Sequence, residues 1–409
     1  MKRILTSLAL ALVCTGAFAQ YVPSEGNLAA RAAFREHRLG IFLHWGIYST
    51  YAQGEWYLQN AKLDSCAYMA AADGFYPAKF DADAWASAFA DAGAGYVTFT
   101  SRHHDGFSMF ATKQSRFNIV DGTPFGRDVL GELTLAVRER GMDMHFYYSL
   151  IDWIRPDYPH GVEYGIPKTD SLACYDHYLE FEKAQIRELM EYEPAALWFD
   201  GMWDQADGFD WRLGEVYELI HSIDPSCLIG NNHHRATLEG EDFQMFERDL
   251  PGENVWGYSG GVPVSMLPLE TCETMNGAWG YRVDDQNYKS LKEIVGLLVR
   301  SVAKDANLLL NIGPMASGEL PAPALDRLHE LGEWMRTHGN SVNGCGATGI
   351  EPQPWGVTTR NASHLYLHIL EPSGLPADKV IKVVLDGKTY YRNVPAVLDP
   401  IDTIIDIIL

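Results

Sequence analysis

The chain has 409 residues, 47% of them hydrophobic and 12% aromatic, with 54 acidic against 32 basic side chains and a formal net charge of −22. This surplus of negative charge argues against nucleic acid or an anionic membrane surface as partner. The length suits one large domain with or without a small second one, and 11 tryptophans suit a protein that stacks sugar rings on aromatic faces.

The chain opens MKRILTSLALALVCTGAFAQ. Lys2 and Arg3 precede an apolar run from Ile4 to Val13 and small residues ending in Ala17-Phe18-Ala19, the pattern of a secretory signal cleaved after Ala19. Residues 1–19 are therefore expected to be a signal peptide, and the mature chain to cross the inner membrane to the periplasm. The run is too short to span a bilayer, and no later segment is long and apolar enough to do so. Cys14 leaves with the signal. The remaining Cys66, Cys174, Cys227, Cys272 and Cys345 have no close pairs and no zinc-like spacing, so they read as mostly buried thiols.

From about residue 40 to 340, an amphipathic helical stretch repeatedly precedes a short apolar run that ends in polar or aromatic residues. FDADAWASAFADAGA precedes GYVTFTSRHHDG, and DVLGELTLAVRERG precedes MDMHFYYSLIDW. DHYLEFEKAQIRELMEYEP precedes AALWFDGMW, WRLGEVYELIHSIDPS precedes CLIGNNHH, and NYKSLKEIVGLLVRSVAKD precedes ANLLLNIGP. The first run, LGIFLHWGIYS, has no such helix before it. Continuous apolar strands alternating with helices predict a parallel sheet covered by helices, either an open doubly wound sheet or a closed (β/α)8 barrel. Polar residues at the C-terminal ends of the runs (His44, His103, His104, Tyr147, Asp200, Asn231 and Asn311) favour the barrel, whose active site is built from those ends. No glycine-rich phosphate loop follows any strand. The barrel is assigned to residues 20–344. Beyond it, WGVTTR, SHLYLHIL, KVIKVVLDGKTYY and TIIDIIL predict a small antiparallel β domain over 345–409.

Asp200 ends an apolar run and is followed by Gly201. It reads either as a catalytic carboxylate or as the cap of a turn. His44 fits sugar hydroxyl recognition or a satisfied core position. Glu55 beside Trp56 pairs a carboxylate with a stacking ring, as a sugar subsite does. His103 and His104 are adjacent on a strand and should face opposite sides, so sharing a metal requires a bend, and hydroxyl recognition is the better reading. Tyr147 and Trp153 sit at another strand end and could equally be core. Hydrolysis of a glycoside needs a second acid, for which Glu241, Asp242, Glu247, Glu270 and Glu273 are candidates that composition does not separate.

Taken in order over residues 35–340, LGIFLHWGIYS, FDADAWASAFADAGAGYVTFTSRHHDGFSMFAT, RDVLGEL, YYSLIDW, LWFDG, WGYR and LLLNIGP together resemble the α-L-fucosidases of glycoside hydrolase family 29. The resemblance implies a (β/α)8-like barrel followed by a β-sandwich, and retaining hydrolysis of terminal α-L-fucose on glycans without cofactor or metal. It implies Asp200 as nucleophile and places His44, Glu55, Trp56, His103, His104, Tyr147 and Trp198 in the fucose pocket, with Trp279 as a further wall. DFQMFE aligns Glu247 with the acid/base of a DFRTPE-like segment, although Thr-Pro is missing. Asp242 and Glu270, in LETC, are the alternatives. Where many relatives carry an arginine, this chain has NNHH, which offers His233 as the replacement contact. The tail is shorter than the family's sandwich. Two other readings stand beside this one: a retaining glycosidase for a related sugar such as α-L-galactose, and a fucose-binding, lectin-like protein without catalysis.

Overall fold

The computed structural model describes residues 21–159 and 174–409, so the signal segment expected at 1–19 lies outside the described residues. Eight parallel strands form one sheet: β1 (Leu39–Leu43), β2 (Tyr96–Arg102), β3 (Asp143–Ser149), β4 (Ala196–Asp200), β5 (Leu228–Asn232), β6 (Gln244–Glu247), β7 (Leu269–Thr274) and β8 (Ala306–Ile312). The order β5-β4-β3-β2-β1-β8-β7-β6, with β1 paired to both β2 and β8, is that of a barrel nearly closed between β5 and β6. Asp242 staples that seam. Its backbone N–H donates to Ile229 O at 2.6 Å, and its carboxylate accepts the Ile229 N–H at 2.8 Å.

Helices Ala82–Asp91, Val129–Arg138, Tyr175–Met190, Leu213–Ile223 and Leu291–Ala303 precede β2, β3, β4, β5 and β8 respectively, as the alternating pattern predicts. Two expectations need correcting. A helix, Glu25–Glu36, does precede β1. Ser24 caps it, and only Asn27 and Phe34 are buried along it, too little apolar periodicity to reveal it. Phe34 packs with Tyr96, Leu228 and Phe243 inside the barrel, plugging the end opposite the site. Strands β6 and β7 are also additional. No described helix separates β5 from β6 or β6 from β7, and glutamates interrupt both apolar runs.

The C-terminal strands are β9 (Gly346–Ala347), β10 (Gly356–Arg360), β11 (His364–Ile369), β12 (Val380–Leu385), β13 (Lys388–Asn393) and β14 (Thr403–Ile408). They form an antiparallel sheet of order β14-β11-β10-β9 and a β12-β13 hairpin. Asp386 and Gly387, with φ of 50° and 77°, make the tight two-residue turn that the strand twist favours. Trp355, Leu367, Val383 and Tyr390 share the core between sheet and hairpin. Of the cysteines, Cys227, Cys272 and Cys345 are buried, Cys174 is half-buried and Cys66 is exposed. Among the described residues, no helix is long and apolar enough to cross a membrane.

Candidate active site

The C-terminal strand ends converge on a cavity of about 370 Å³. Phe42, Tyr147, Trp198 and Cys272 reach it from inside the barrel, and His44, Glu55, Trp56, His103, His104, Trp203, His234, Tyr258 and Trp279 from the loops above. Asp200, Asn232 and Glu247 stand at the last positions of β4, β5 and β6 and also line it.

His44 follows β1. Asn311 donates through Nδ2 to Trp279 O at 2.8 Å, which leaves its Oδ1 to accept from His44 Nδ1 at 2.7 Å. Burial holds His44 neutral, its pKa lowered to about 3. Nε2 is then an acceptor, suited to a sugar hydroxyl. His103 and His104 both enter the cavity, with ring centroids 4.1 Å apart, contrary to the alternation expected of neighbours on a strand. The β2–β3 register shifts between Thr100 and Arg102 and β2 ends at Arg102, so the two imidazoles lie beyond the pleat. Burial lowers both their pKa values well below the ordinary range. Ser149 Oγ donates to Ile151 O and therefore accepts from His104 Nδ1 at 2.6 Å.

Asp200 is held by three donors: Tyr147 OH at 2.8 Å on Oδ2, and Gly201 N–H at 2.8 Å and Asn232 Nδ2 at 3.3 Å on Oδ1. Gly201 has φ of 103°, and a β-carbon there would strike Ile151, so this sharp exit from β4 requires glycine. Burial, and then the charge of Glu247, push the Asp200 pKa up to about 7, partly offset by those hydrogen bonds. Asn232 Nδ2 also donates to Glu247 Oε2 at 2.9 Å. Both bonds leave one nitrogen, so the two bridged oxygens lie no farther apart than the two lengths end to end, short of the roughly 6.5–9.5 Å that an inverting pair needs.

Glu55 accepts the Gly280 N–H at 2.7 Å, and burial raises its pKa. Trp56 stacks on Trp203 with centroids 5.4 Å apart, and Trp279 packs 5.2 Å from His44. Trp198 and Tyr147 stack at 5.3 Å. Trp153 is buried against Trp56 and His104 behind the cavity.

The remaining candidates lie elsewhere. Glu270 is fully buried beneath Trp198, accepting Trp198 Nε1 at 2.8 Å and Tyr96 OH at 2.6 Å. It supports the floor and does not line the cavity. Asp242 faces Arg31 at 2.6 Å and His221 at 3.1 Å at the barrel seam. Glu241 accepts from Tyr217 OH at 3.1 Å, and Glu273 points to Arg248 and Lys289. His233 turns away from the cavity to Glu241 at 2.9 Å. His234, whose φ is 55°, enters the cavity instead. Asn231 likewise bonds Tyr217 OH at 2.9 Å, while Asn232 points inward. Both inward residues stand in the NNHH segment, where alternation from an exact strand end would have found them. Tyr258 carried no comparable signal. Among the described residues, no group of three or more His, Cys, Asp or Glu side chains is arranged to hold a metal ion.

Two carboxylates bridged at the mouth of a parallel barrel, in a cavity walled by aromatic rings, define a glycoside hydrolase. The chain belongs to the alpha-L-fucosidase family, which it matches over residues 9–340. It is 29% identical over 418 residues to an alpha-L-fucosidase of Dictyostelium discoideum, covering 93% of this chain and 87% of that one. Alpha-L-fucosidase isoenzyme 1 from Paenibacillus thiaminolyticus superposes with a TM-score of 0.82 at 32% identity, covering 93% of this chain and 99% of that one. A family 29 alpha-L-fucosidase from Bacteroides thetaiotaomicron, trapped as a covalent intermediate with 2-fluoro-fucosyl fluoride, superposes with a TM-score of 0.78 at 28% identity, covering 92% and 95%.

Proposed function

We propose that the protein removes terminal α-L-fucose from glycans by double displacement, with Asp200 as nucleophile and Glu247 as acid/base, after export to the periplasm. The observation that supports this reading is the Asn232 bridge, which holds both carboxylates on one amide, closer than the gap an inverting pair needs for its water. It also separates this reading from that of a binding protein, which has no need of a spaced acid pair.

Burial, and then the charge of Glu247, raise the Asp200 pKa to about 7, so near neutral pH a sizeable fraction of Asp200 is ionised. In the reactive form a proton sits on Glu247 and Asp200 is charged. Asp200 attacks the anomeric carbon while Glu247 protonates the departing oxygen, giving a β-linked fucosyl ester. Glu247, now a base, draws a proton from water, which attacks from the α face and frees Asp200. The neutral imidazoles of His44 and His104 accept sugar hydroxyls, and Tyr147 donates to the nucleophile throughout. Proton NMR of 4-nitrophenyl α-L-fucoside hydrolysis tests the proposal. The α-anomer of fucose should appear first, and either absence of release or first appearance of the β-anomer rejects it.

A further inference from the structure

Beside Glu247, on the open side of the cavity, Tyr258 and His234 form a stacked pair. Their ring centroids are 5.2 Å apart at 24°, and His234 Nε2 lies 3.5 Å from Glu247 Oε2. The two rings come from separate segments, after β6 and β5, and neither acts in the steps above. Tyr258 lines the cavity yet is 44% exposed. One face is covered by the imidazole, and the remainder opens on the mouth. When Asp200 attacks from one side of the sugar, the leaving group departs on the other, past the acid. Tyr258 lines the cavity on that side, stacked on the histidine that meets the acid.

The loop holds its ring before anything binds. Buried Asp249 accepts the Val255 and Trp256 N–H groups at 2.7 and 3.0 Å, and Asn254 Oδ1 accepts the Ser259 N–H at 2.9 Å. The surrounding charge disfavours an acidic ligand. Asp200, Glu247 and Glu55 line the cavity, and the nearby Arg248 is engaged by Glu273 at 3.5 Å and sandwiched 5.0 Å from Trp256 and from Trp279.

We propose that Tyr258, backed by His234, forms the leaving-group subsite and receives a neutral hexopyranose residue by its C–H face. This deepens the fucosidase reading and rests on it. A preorganised aromatic ring binds such a face without first having to order a side chain.

The test compares an α-L-fucosyl-galactose disaccharide with α-L-fucosyl fluoride, whose leaving atom carries no ring. Tyr258→Ala should lower kcat/KM for the disaccharide about tenfold more than for the fluoride, chiefly through KM, and Tyr258→Phe should restore most of the difference. Equal losses on both substrates, or no loss on the disaccharide, overturn the subsite. A loss centred on kcat that Tyr258→Phe does not repair also overturns it, because the ring would then serve Glu247 and not the leaving group. If the wild-type protein cleaves neither compound, the fucosidase reading itself fails.

Discussion

His104 Nε2 stands 3.6 Å from Asp200 Oδ2, and with Asp200 charged neither atom carries a proton to offer the other. The imidazole is neutral and its single proton is committed to Ser149. The Asp200 carboxylate therefore faces a lone pair on one side and Glu247 on another. Empty of sugar, this site is an unfavourable place for a charge, and a bound hydroxyl that donates to His104 or Asp200 relieves it.

Stability should reveal that strain. The Asp200 pKa is raised from the ordinary 3.8 to about 7 in the folded state. Between these values the folded chain keeps a proton that the unfolded chain has released, so stability falls as pH rises through this window and levels off above it. Asp200→Asn removes the penalty. Its amide oxygen can face the Gly201 and Asn232 donors while its NH2 faces Tyr147, whose hydroxyl then accepts. The variant should be inactive yet more stable than wild type by up to a few kcal/mol at pH 8, with no advantage at pH 4. Thermal melts at the two pH values decide. An advantage that does not depend on pH would mean that Asp200 is not held in this way.

The chemistry of Asp200 is open to rescue. Asp200→Gly removes the carboxylate and should lower hydrolysis of an aryl fucoside by at least about a thousandfold. Azide should then take the vacated β face and give β-L-fucosyl azide. Near-wild-type turnover with an unchanged circular dichroism spectrum would show that another group attacks.

The barrel was legible because six of its strands are continuous apolar runs, most of them set behind amphipathic helices, and Asp200, His44 and Glu55 were legible because motifs pinned them. What failed was local geometry. Asn231 was named as the polar end of its run, but the strand closes one residue later, and Asn232 is the one that points inward. Past Asn232 the alternation continues, so His233, which the resemblance offered, turns to Glu241 and His234 turns inward. His103 and His104 broke that rule, because the strand had already ended. Glutamates in β7 hid a strand: the buried Glu270 is tolerated there because Tyr96 and Trp198 both donate to it, a tertiary fact with no sequence signature.

That pairing gives Glu270 a structural test. Glu270→Ala leaves Tyr96 OH and Trp198 Nε1 buried without their acceptor and opens a void below the cavity floor. It should cost about 2–5 kcal/mol, measured by urea unfolding, and azide should not restore activity. Glu270→Gln keeps one acceptor and should recover part of the stability. Full stability of the alanine variant would show that the floor does not depend on this carboxyl.

Glu247 is distinguished by the leaving group. A general acid matters most where the departing oxygen is a poor leaving group. Glu247→Ala should therefore reduce cleavage of a fucosyl disaccharide far more, on the order of a hundredfold or greater, than the first step with 4-nitrophenyl fucoside. The fucosyl ester on Asp200 would then accumulate, because no base activates water. Azide needs no such base. It should attack the β-linked ester from the α face and restore turnover as α-L-fucosyl azide, the opposite anomer to that from Asp200→Gly. Asp242→Ala is the control: Asp242 sits at the seam between Arg31, His221 and Ile229, so its loss should lower stability without azide rescue. If α-azide formed with Asp242→Ala or Glu270→Ala and not with Glu247→Ala, the acid/base would have to be reassigned, while the opposite anomer from Asp200→Gly would still identify the nucleophile.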